Sequence, residues 1–257
     1  MNGNDCFVLG NGFVGKATRA ALDIPHYFDL NGSNITLEEG AKKLFCFICL
    51  PTPTDGRGQQ KGLDPIRAYI KQMSQMEGRT IFVIRPTVLP GPARGLAKEF
   101  GVMVASNPEM LSEDTWEHDA LHPRVSIIGA DNEPEKIALV NLWKNRKAKF
   151  DVVTDTVTAE TVKYAFNTFN ALKVVYGNQL YDNCEVTGAK YNVIKEALMK
   201  HPWGSKHHFK VNHKGGRGAG GNCFPKDLHA FSKFTNSELL KTTQKLNKQY
   251  LMKSGKK

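Results

Sequence analysis

Apolar residues fall along this chain in short runs, at Asp5–Gly10, Pro25–Leu30, Leu44–Leu50, Thr80–Arg85, Gly101–Ser106 and Arg124–Gly129. Runs this short, spaced by polar stretches, predict strands buried on both faces of a sheet. Between them the pattern changes to helix-compatible, as at Lys16–Leu22 and Pro65–Met76. Strands alternating with helices imply an α/β protein with a mostly parallel, doubly wound sheet. After the last run, Thr158–Gly188 reads as one long helix, with Thr158, Glu160 and Thr161 suited to its start and Gly188 to its end.

The first strand runs into Gly10-Asn-Gly12-Phe13-Val14-Gly15 and then a helix. Strand, G-x-G-x-x-G and helix in that order form a dinucleotide-binding turn, the hallmark of a Rossmann-type sheet. Gly10 allows the tight turn, Gly12 lets a pyrophosphate reach the backbone, and Gly15 lets helix and strand pack closely. Asp29 ends the second strand, placed to accept hydrogen bonds from a ribose diol and to disfavour a 2′-phosphate, which favours NAD over NADP. Ligands of such sheets sit beyond the carboxyl ends of the strands. The loops expected there are Pro51-Thr52-Pro-Thr54, Pro86-Thr87-Val-Leu-Pro-Gly91 and Asn107-Pro-Glu109-Met110-Leu111-Ser-Glu113.

With 40% hydrophobic and 23% charged residues the composition excludes collagen-like and disordered classes. The sequence shows neither an apolar run long enough to span a bilayer nor a signal-peptide pattern at its start, so a soluble cytoplasmic protein is expected. Five scattered cysteines do not make a disulfide framework. Cys46 and Cys49 lie three apart on an expected strand, so their sulfurs should point to opposite faces. The net charge of +10 is unevenly placed. Residues 1–200 carry 23 Lys/Arg against 23 Asp/Glu, whereas 201–257 carry 12 against only Asp227 and Glu238. A basic segment of this kind suits a polyanionic ligand, and 241–257 reads as a solubilising tail. A nucleic-acid reading rests on that tail alone and is set aside. His201, His207, His208 and His213 are irregularly spaced, with no acidic or thiol ligand between them, and predict no metal site.

Lys163 and Asn167 are four apart on the long helix and share a face. Downstream, Gly215-Gly-Arg-Gly-Ala-Gly220-Gly221-Asn-Cys223-Phe-Pro-Lys226-Asp227 is too rich in glycine for a regular element. It predicts a loop that wraps a ligand closely and ends in a thiol beside cationic groups near a helix start. Such a thiol is activated as a nucleophile.

Taken in order, these pieces resemble the UDP-glucose/GDP-mannose dehydrogenase family. The resemblance rests on Gly10-x-Gly12-Phe-Val-Gly15, Cys49-Leu-Pro-Thr-Pro-Thr54, Thr87-Val-x-Pro-Gly91, Asn107-Pro-Glu109 with Glu113, Ala159-Glu-x-x-Lys163-x-x-x-Asn167 and Gly218-x-Gly-Gly-x-Cys223-Phe-Pro-Lys-Asp227. It implies NAD-dependent, four-electron oxidation of a nucleotide sugar's 6-hydroxymethyl group to a carboxylate, most simply UDP-glucose to UDP-glucuronate. The implied route passes through an aldehyde, a thiohemiacetal on Cys223 and a thioester that water hydrolyses. It implies that Lys163 and Asn167 hold the reacting oxygen, and that Asp227, Glu109, Glu113 and Thr87 share water orientation and proton transfer. Gly10, Gly12, Phe13, Val14, Gly15, Asp29, Pro51, Thr52, Thr87 and Glu113 would bind NAD. Glu109, Met110, Leu111, Lys163, Asn167, Lys206, Gly220 and Gly221 would bind substrate. A homodimer through the long helix is implied too.

The expected organisation is thus a Rossmann-type NAD-binding domain over 1–153, a helical dimerisation and catalytic segment over 154–235, and a basic tail over 236–257. Typical members continue into a third domain that helps bind the substrate nucleotide, and here only a short lysine-rich stretch follows the cysteine loop. Either the basic stretch His201–Lys214 or a partner subunit is expected to complete that site. Ala219 stands where an aromatic is usual, Met110 where Phe is usual, and Pro86 and Leu89 flank the threonine loop unusually. None of these removes a reacting group. The same chemistry on GDP-mannose or a UDP-N-acetylhexosamine, and a non-catalytic binder of NAD or a nucleotide sugar, are the competing readings.

Overall fold

The computed structural model describes residues 1–55, 60–112, 114–144, 148, 150–213 and 215–254. In chain order its elements are β1 (Cys6–Leu9), α1 (Phe13–Leu22), β2 (His26–Phe28), α2 (Leu37–Ala41), β3 (Phe45–Ile48), α3 (Leu63–Ser74), β4 (Ile81–Ile84), α4 (Pro92–Phe100), β5 (Val104–Ser106), α5 (Trp116–Leu121), β6 (Val125–Gly129), α6 (Glu133–Trp143), β7 (Phe150–Thr154), α7 (Thr156–Thr187), α8 (Tyr191–Lys200), α9 (Phe224–Thr235) and α10 (Glu238–Lys253). All six apolar runs become strands. Within the fifth, Gly101 instead ends α4 in a left-handed conformation (φ 65°), which a residue without a Cβ adopts at no steric cost.

The chain forms two compact units, Met1–Asp55 with Gln60–Lys163, and Tyr164–Lys257. The first is a seven-stranded sheet in the order β2-β1-β3-β4-β5-β6-β7. Neighbours from β2 through β5 pair in parallel. The chain moves from β2 on one side of β1 to β3 on the other, so the topological switch lies between β1 and β3, where a doubly wound sheet opens its ligand crevice. The sheet is mostly parallel, as expected, with one antiparallel junction at β6. That strand meets β5 antiparallel through one register pair, Ser106 with Gly129, and β7 then pairs parallel to β6.

Successive residues of each strand alternate between two cores. One core takes Cys6, Val8, Phe45 and Phe47, and the other takes Phe7, Leu9, Cys46 and Ile48. Cys49 joins the first and Cys46 the second, so these two thiols are packed on opposite sides of the sheet. Burial raises both above the usual thiol range, Cys49 to about 11.

The long helix starts two residues before Thr158. Asp155 accepts the Thr158 N–H (3.1 Å) as an N-cap carboxylate does, and Asp131 accepts the Thr156 N–H (3.0 Å). Its other end falls at Thr187, with Gly188 left-handed (φ 72°) as the sequence leads one to expect. In the second unit Tyr164 is fully buried and stacks on Phe231 of α9, with ring centroids 4.8 Å apart. A smaller core joins Ala171, Ala219 and Leu228. The lysine count of 236–257 predicts a tail, yet most of that segment is α10, capped by Ser237 and burying Thr243, Asn247 and Tyr250. The lysines occupy its solvent side, which hides the buried face from a charge count. No helix among the described residues is long and apolar enough to cross a membrane.

Candidate functional site

In the first unit the glycine turn is built as its spacing predicts. Gly10 has φ 93°, and a Cβ at Gly15 would stand 2.0 Å from the Gly10 carbonyl oxygen, so β1 and α1 touch there. A Cβ at Gly12 would meet nothing within 4 Å. Gly12 is also the N-cap of α1 and supplies no side-chain cap. The first helical bond is Lys16 N–H to Gly12 O (2.9 Å), so the N–H groups of Phe13, Val14 and Gly15 precede the ladder at an open helix start. Asp29 lies beside the turn. Its carboxylate accepts the Asn31 N–H (2.9 Å) and the Asn11 N–H (2.7 Å), which together hold it below the ordinary carboxylate range. An open cradle, unspent N–H donors and an ionised acid at the end of β2 fit a dinucleotide with a free ribose diol.

The loops after β3 and β4 are tied to each other. The Thr87 carbonyl accepts both the Thr52 hydroxyl and the Gln60 amide, each at 2.7 Å, and Gln60 also accepts the Leu89 N–H (2.9 Å). Thr52 and Thr87 are buried and Pro51 is exposed. Arg85, which follows β4, is buried, and among the described residues no carboxylate hydrogen-bonds to it. It donates to the Asn107 carbonyl (2.7 Å) and side-chain oxygen (2.5 Å), and burial lowers it below the usual guanidinium range. Asn107 in turn donates to Ile127 O (2.5 Å), so this pair fixes the start of the Asn107–Leu111 loop where β5 meets β6.

That loop carries Glu109. Its carboxylate pairs with the Lys163 ammonium at 3.0 Å, with about a tenth or less of either side chain exposed, and accepts the Leu111 N–H at 2.7 Å. Met110 and Leu111 are half-buried. Glu113 lies outside the described residues, so its predicted role has no geometry here.

Glu160, three residues before Lys163 on α7, is 1% exposed and accepts the Gly91 N–H (2.6 Å) and the Ala93 N–H (3.1 Å). It caps α4 from a distance and ties the end of the Thr87 loop to the turn of α7 that bears Lys163. Burial raises its carboxyl from the ordinary 4.5 to about 7. The folded state therefore holds the proton more tightly than the unfolded chain. The stability this contributes is full below about pH 4.5 and is lost as pH rises through 7, a change of about 3 kcal/mol at most. Melting midpoints should fall between pH 5 and pH 8 by an increment that Glu160→Gln removes. A fall of equal size in that variant would place the effect elsewhere.

In the second unit, Asn167 and Asp227 are buried and joined, Asn167 Nδ2 to Asp227 Oδ2 at 2.6 Å, while Lys226 Nζ pairs with Asp227 Oδ1 at 2.6 Å. Cys223 is exposed and is the N-cap residue of α9, with no side-chain cap bond, so its thiol stands at a helix N-terminus four residues ahead of Asp227. Such a position favours the thiolate. Gly218 and Gly221 adopt φ 82° and 78°, and Gly220 is half-buried. Lys206 is exposed. His208 is left-handed (φ 74°), its Nδ1 is buried without a hydrogen-bond partner among the described residues, and burial and then Lys173 push it down to about 4.

The structure thus brings together Glu109 with Lys163, Thr52 with Thr87, and Asn167 with Asp227. The sequence reading left out Arg85, Gln60, Glu160 and, on α10, Asn247. A charged residue ending an apolar strand was the available signal for Arg85. Glu160 stood in the Lys163 motif and at the expected helix start without a role of its own, and nothing local marks Gln60 or Asn247.

Residues 28–147 match the UDP-glucose/GDP-mannose dehydrogenase family, NAD binding domain, and residues 157–249 match its central domain. The chain is 31% identical over 214 residues to a UDP-glucose 6-dehydrogenase of Rickettsia conorii, covering 79% of this chain and 48% of that protein. It is 30% identical over 215 residues to one of Bacillus subtilis, covering 78% and 48%. It is also similar to the structure of a UDP-glucose dehydrogenase from Pyrobaculum islandicum, with TM-score 0.80, 28% identity, and coverage of 95% of this chain and 68% of that one. The chain spans about half the length of the curated relatives it matches.

Proposed function

The chain belongs to the UDP-glucose/GDP-mannose dehydrogenase family and its cofactor is NAD, and from that premise we propose that it oxidises UDP-glucose to UDP-glucuronate with Cys223 as the covalent nucleophile. The observation that carries this reading is an exposed thiol at the start of α9, four residues from a buried carboxylate already holding Lys226 and Asn167.

NAD, when bound, accepts two electrons at each of the two oxidations. The glycine turn, Phe13, Val14, Asp29, Pro51 and Thr52 would hold it. Lys163 and Asn167 offer donors from one face of α7 to the C6 oxygen as it gains negative charge. The Cys223 thiolate adds to the aldehyde carbon, and the new C–S bond keeps the aldehyde from escaping. After the second oxidation the product is a thioester. Water adds to its carbonyl carbon, the C–S bond breaks, the thiolate leaves, and the water oxygen stays in the carboxylate. Glu109, Glu113 or Asp227 takes the proton from that water and Thr87 orients it. Met110, Leu111, Gly220 and Gly221 line the sugar, and Lys206, within the basic stretch His201–Lys214, faces the diphosphate.

The decisive assay counts NADH formed per UDP-glucose consumed by the purified chain. Two per sugar supports the reading. No NADH with UDP-glucose but turnover of GDP-mannose or a UDP-N-acetylhexosamine would change the substrate and keep the chemistry. Silence with all three would favour a non-catalytic binder.

The chain is also proposed to form a homodimer through α7. Phe166, Phe169 and Tyr176 leave 45%, 60% and 53% of their surface exposed on that helix, an apolar stripe that a second copy would cover. Sedimentation should show a dimer that Phe169→Glu converts to monomer, and a monomeric parent protein would end this proposal. Four of its five cysteines are buried and none forms a disulfide, which suits a reducing compartment such as the cytoplasm.

A further inference from the structure

The face that α10 buries carries polar side chains beside apolar ones such as Leu240. Thr243, Asn247 and Tyr250 are each 4% exposed or less, and Asn247 sits against the glycine loop. Its carboxamide accepts the Ala219 N–H (2.7 Å) and donates to the Ala219 carbonyl (2.9 Å), all buried. One side chain therefore satisfies both backbone groups of a loop residue, as a neighbouring strand would. The fit is close. A Cβ at Gly218 (φ 82°) would stand 3.0 Å from Asn247 Oδ1. One residue earlier, the Arg217 N–H donates to Ser254 Oγ just past α10 (2.7 Å), and its guanidinium reaches Asn178 Oδ1 (2.9 Å) and Asp182 (2.7 Å) on α7 and lies over the Tyr250 ring.

We propose that Asn247 is a positioning residue for the reaction, whose paired hydrogen bonds to Ala219 fix the glycine loop and so set where the Cys223 thiol is presented. A segment this rich in glycine has much freedom to lose, and without a clamp it would sample many placements of the thiol. The inference rests on the reading of Cys223 as the nucleophile. It gives α10 a function that its lysines conceal.

The test is the rate of Cys223 alkylation by iodoacetamide in the intact folded chain, read by mass spectrometry across pH. The other four cysteines are buried and serve as internal references. Asn247→Ala should slow alkylation at neutral pH by about 3- to 10-fold and move its pH midpoint upward, as the thiol leaves the helix N-terminus. Thr243→Ala hollows the same face one turn away, where the Thr243 hydroxyl donates to Leu239 O within α10 (2.8 Å). It should lower the melting temperature without moving the alkylation profile. A wild-type profile in Asn247→Ala, or an equal shift in Thr243→Ala, would overturn the proposal while leaving a reactive Cys223 in place. A wild-type Cys223 no faster than buried Cys184 would instead remove the nucleophile and the proposal together.

Discussion

Cys223→Ser is expected to abolish steady-state oxidation of UDP-glucose, lowering kcat by roughly 10⁴-fold or more, the scale on which loss of a covalent nucleophile is felt. The fold should not suffer. The side chain is exposed and makes no cap bond to α9, and serine is a better N-cap than cysteine, so the melting temperature should hold or rise slightly. NAD affinity should be unchanged, because the glycine turn and Asp29 belong to the other compact unit. What fails is capture of the aldehyde. A serine hydroxyl is protonated at neutral pH and is a far weaker nucleophile than a thiolate at a helix N-terminus. The readout is therefore specific, with the yield falling below two NADH per sugar and no lasting turnover. Cys184→Ser, at a buried position, should touch stability and leave that ratio at two. Two NADH per sugar at the parent rate in Cys223→Ser would end the covalent reading.

What the sequence made legible was local. The glycine turn, Asp29 and the cysteine loop each declare themselves within a few residues, because a tight turn, a strand end and a glycine-rich loop leave compositional marks. Pairings over long separations leave none. With a helix start expected at Thr158, Glu160 reads as a first-turn acid that the macrodipole favours, yet the helix begins at Thr156 and the Glu160 oxygens cap α4, 67 residues earlier in the chain. Asn247 is surrounded by lysines, and only the recurrence of buried Thr243, Asn247 and Tyr250 at helical spacing reveals the face that holds the loop. The antiparallel entry of β6 was equally silent, since an apolar run does not encode its direction. β7 was missed because Asp151 interrupts a short run, although the strand pairs with β6 over five residues.

Lys163→Met should lower kcat by about 10²- to 10³-fold and also destabilise the fold by about 3 kcal/mol, and these two losses can be separated. The stability loss comes from Glu109. Its carboxylate is mostly buried, pairs with Lys163 at 3.0 Å, and would keep only the Leu111 N–H of the bonds described here. Removing one partner of a buried pair strands the other charge, whereas removing both costs little. Glu109→Gln combined with Lys163→Met should therefore recover most of the lost melting temperature. Activity should not return with it, because the double variant still lacks the donor proposed for the C6 oxygen and also the candidate base Glu109. The two changes should thus be strongly non-additive in stability, as contacting residues are. If kcat recovered along with stability, Lys163 would be a structural counter-ion for Glu109, and Asn167 alone would be left to hold the reacting oxygen. If neither recovered, the pair would not account for the loss, and the cause would lie in what the Lys163 side chain holds within α7 and its neighbours. Recovery of stability without activity places Lys163, Glu109 or both in the chemistry, since the double variant lacks both, and the kcat of Glu109→Gln alone then separates them: a parent-like value assigns the loss to Lys163.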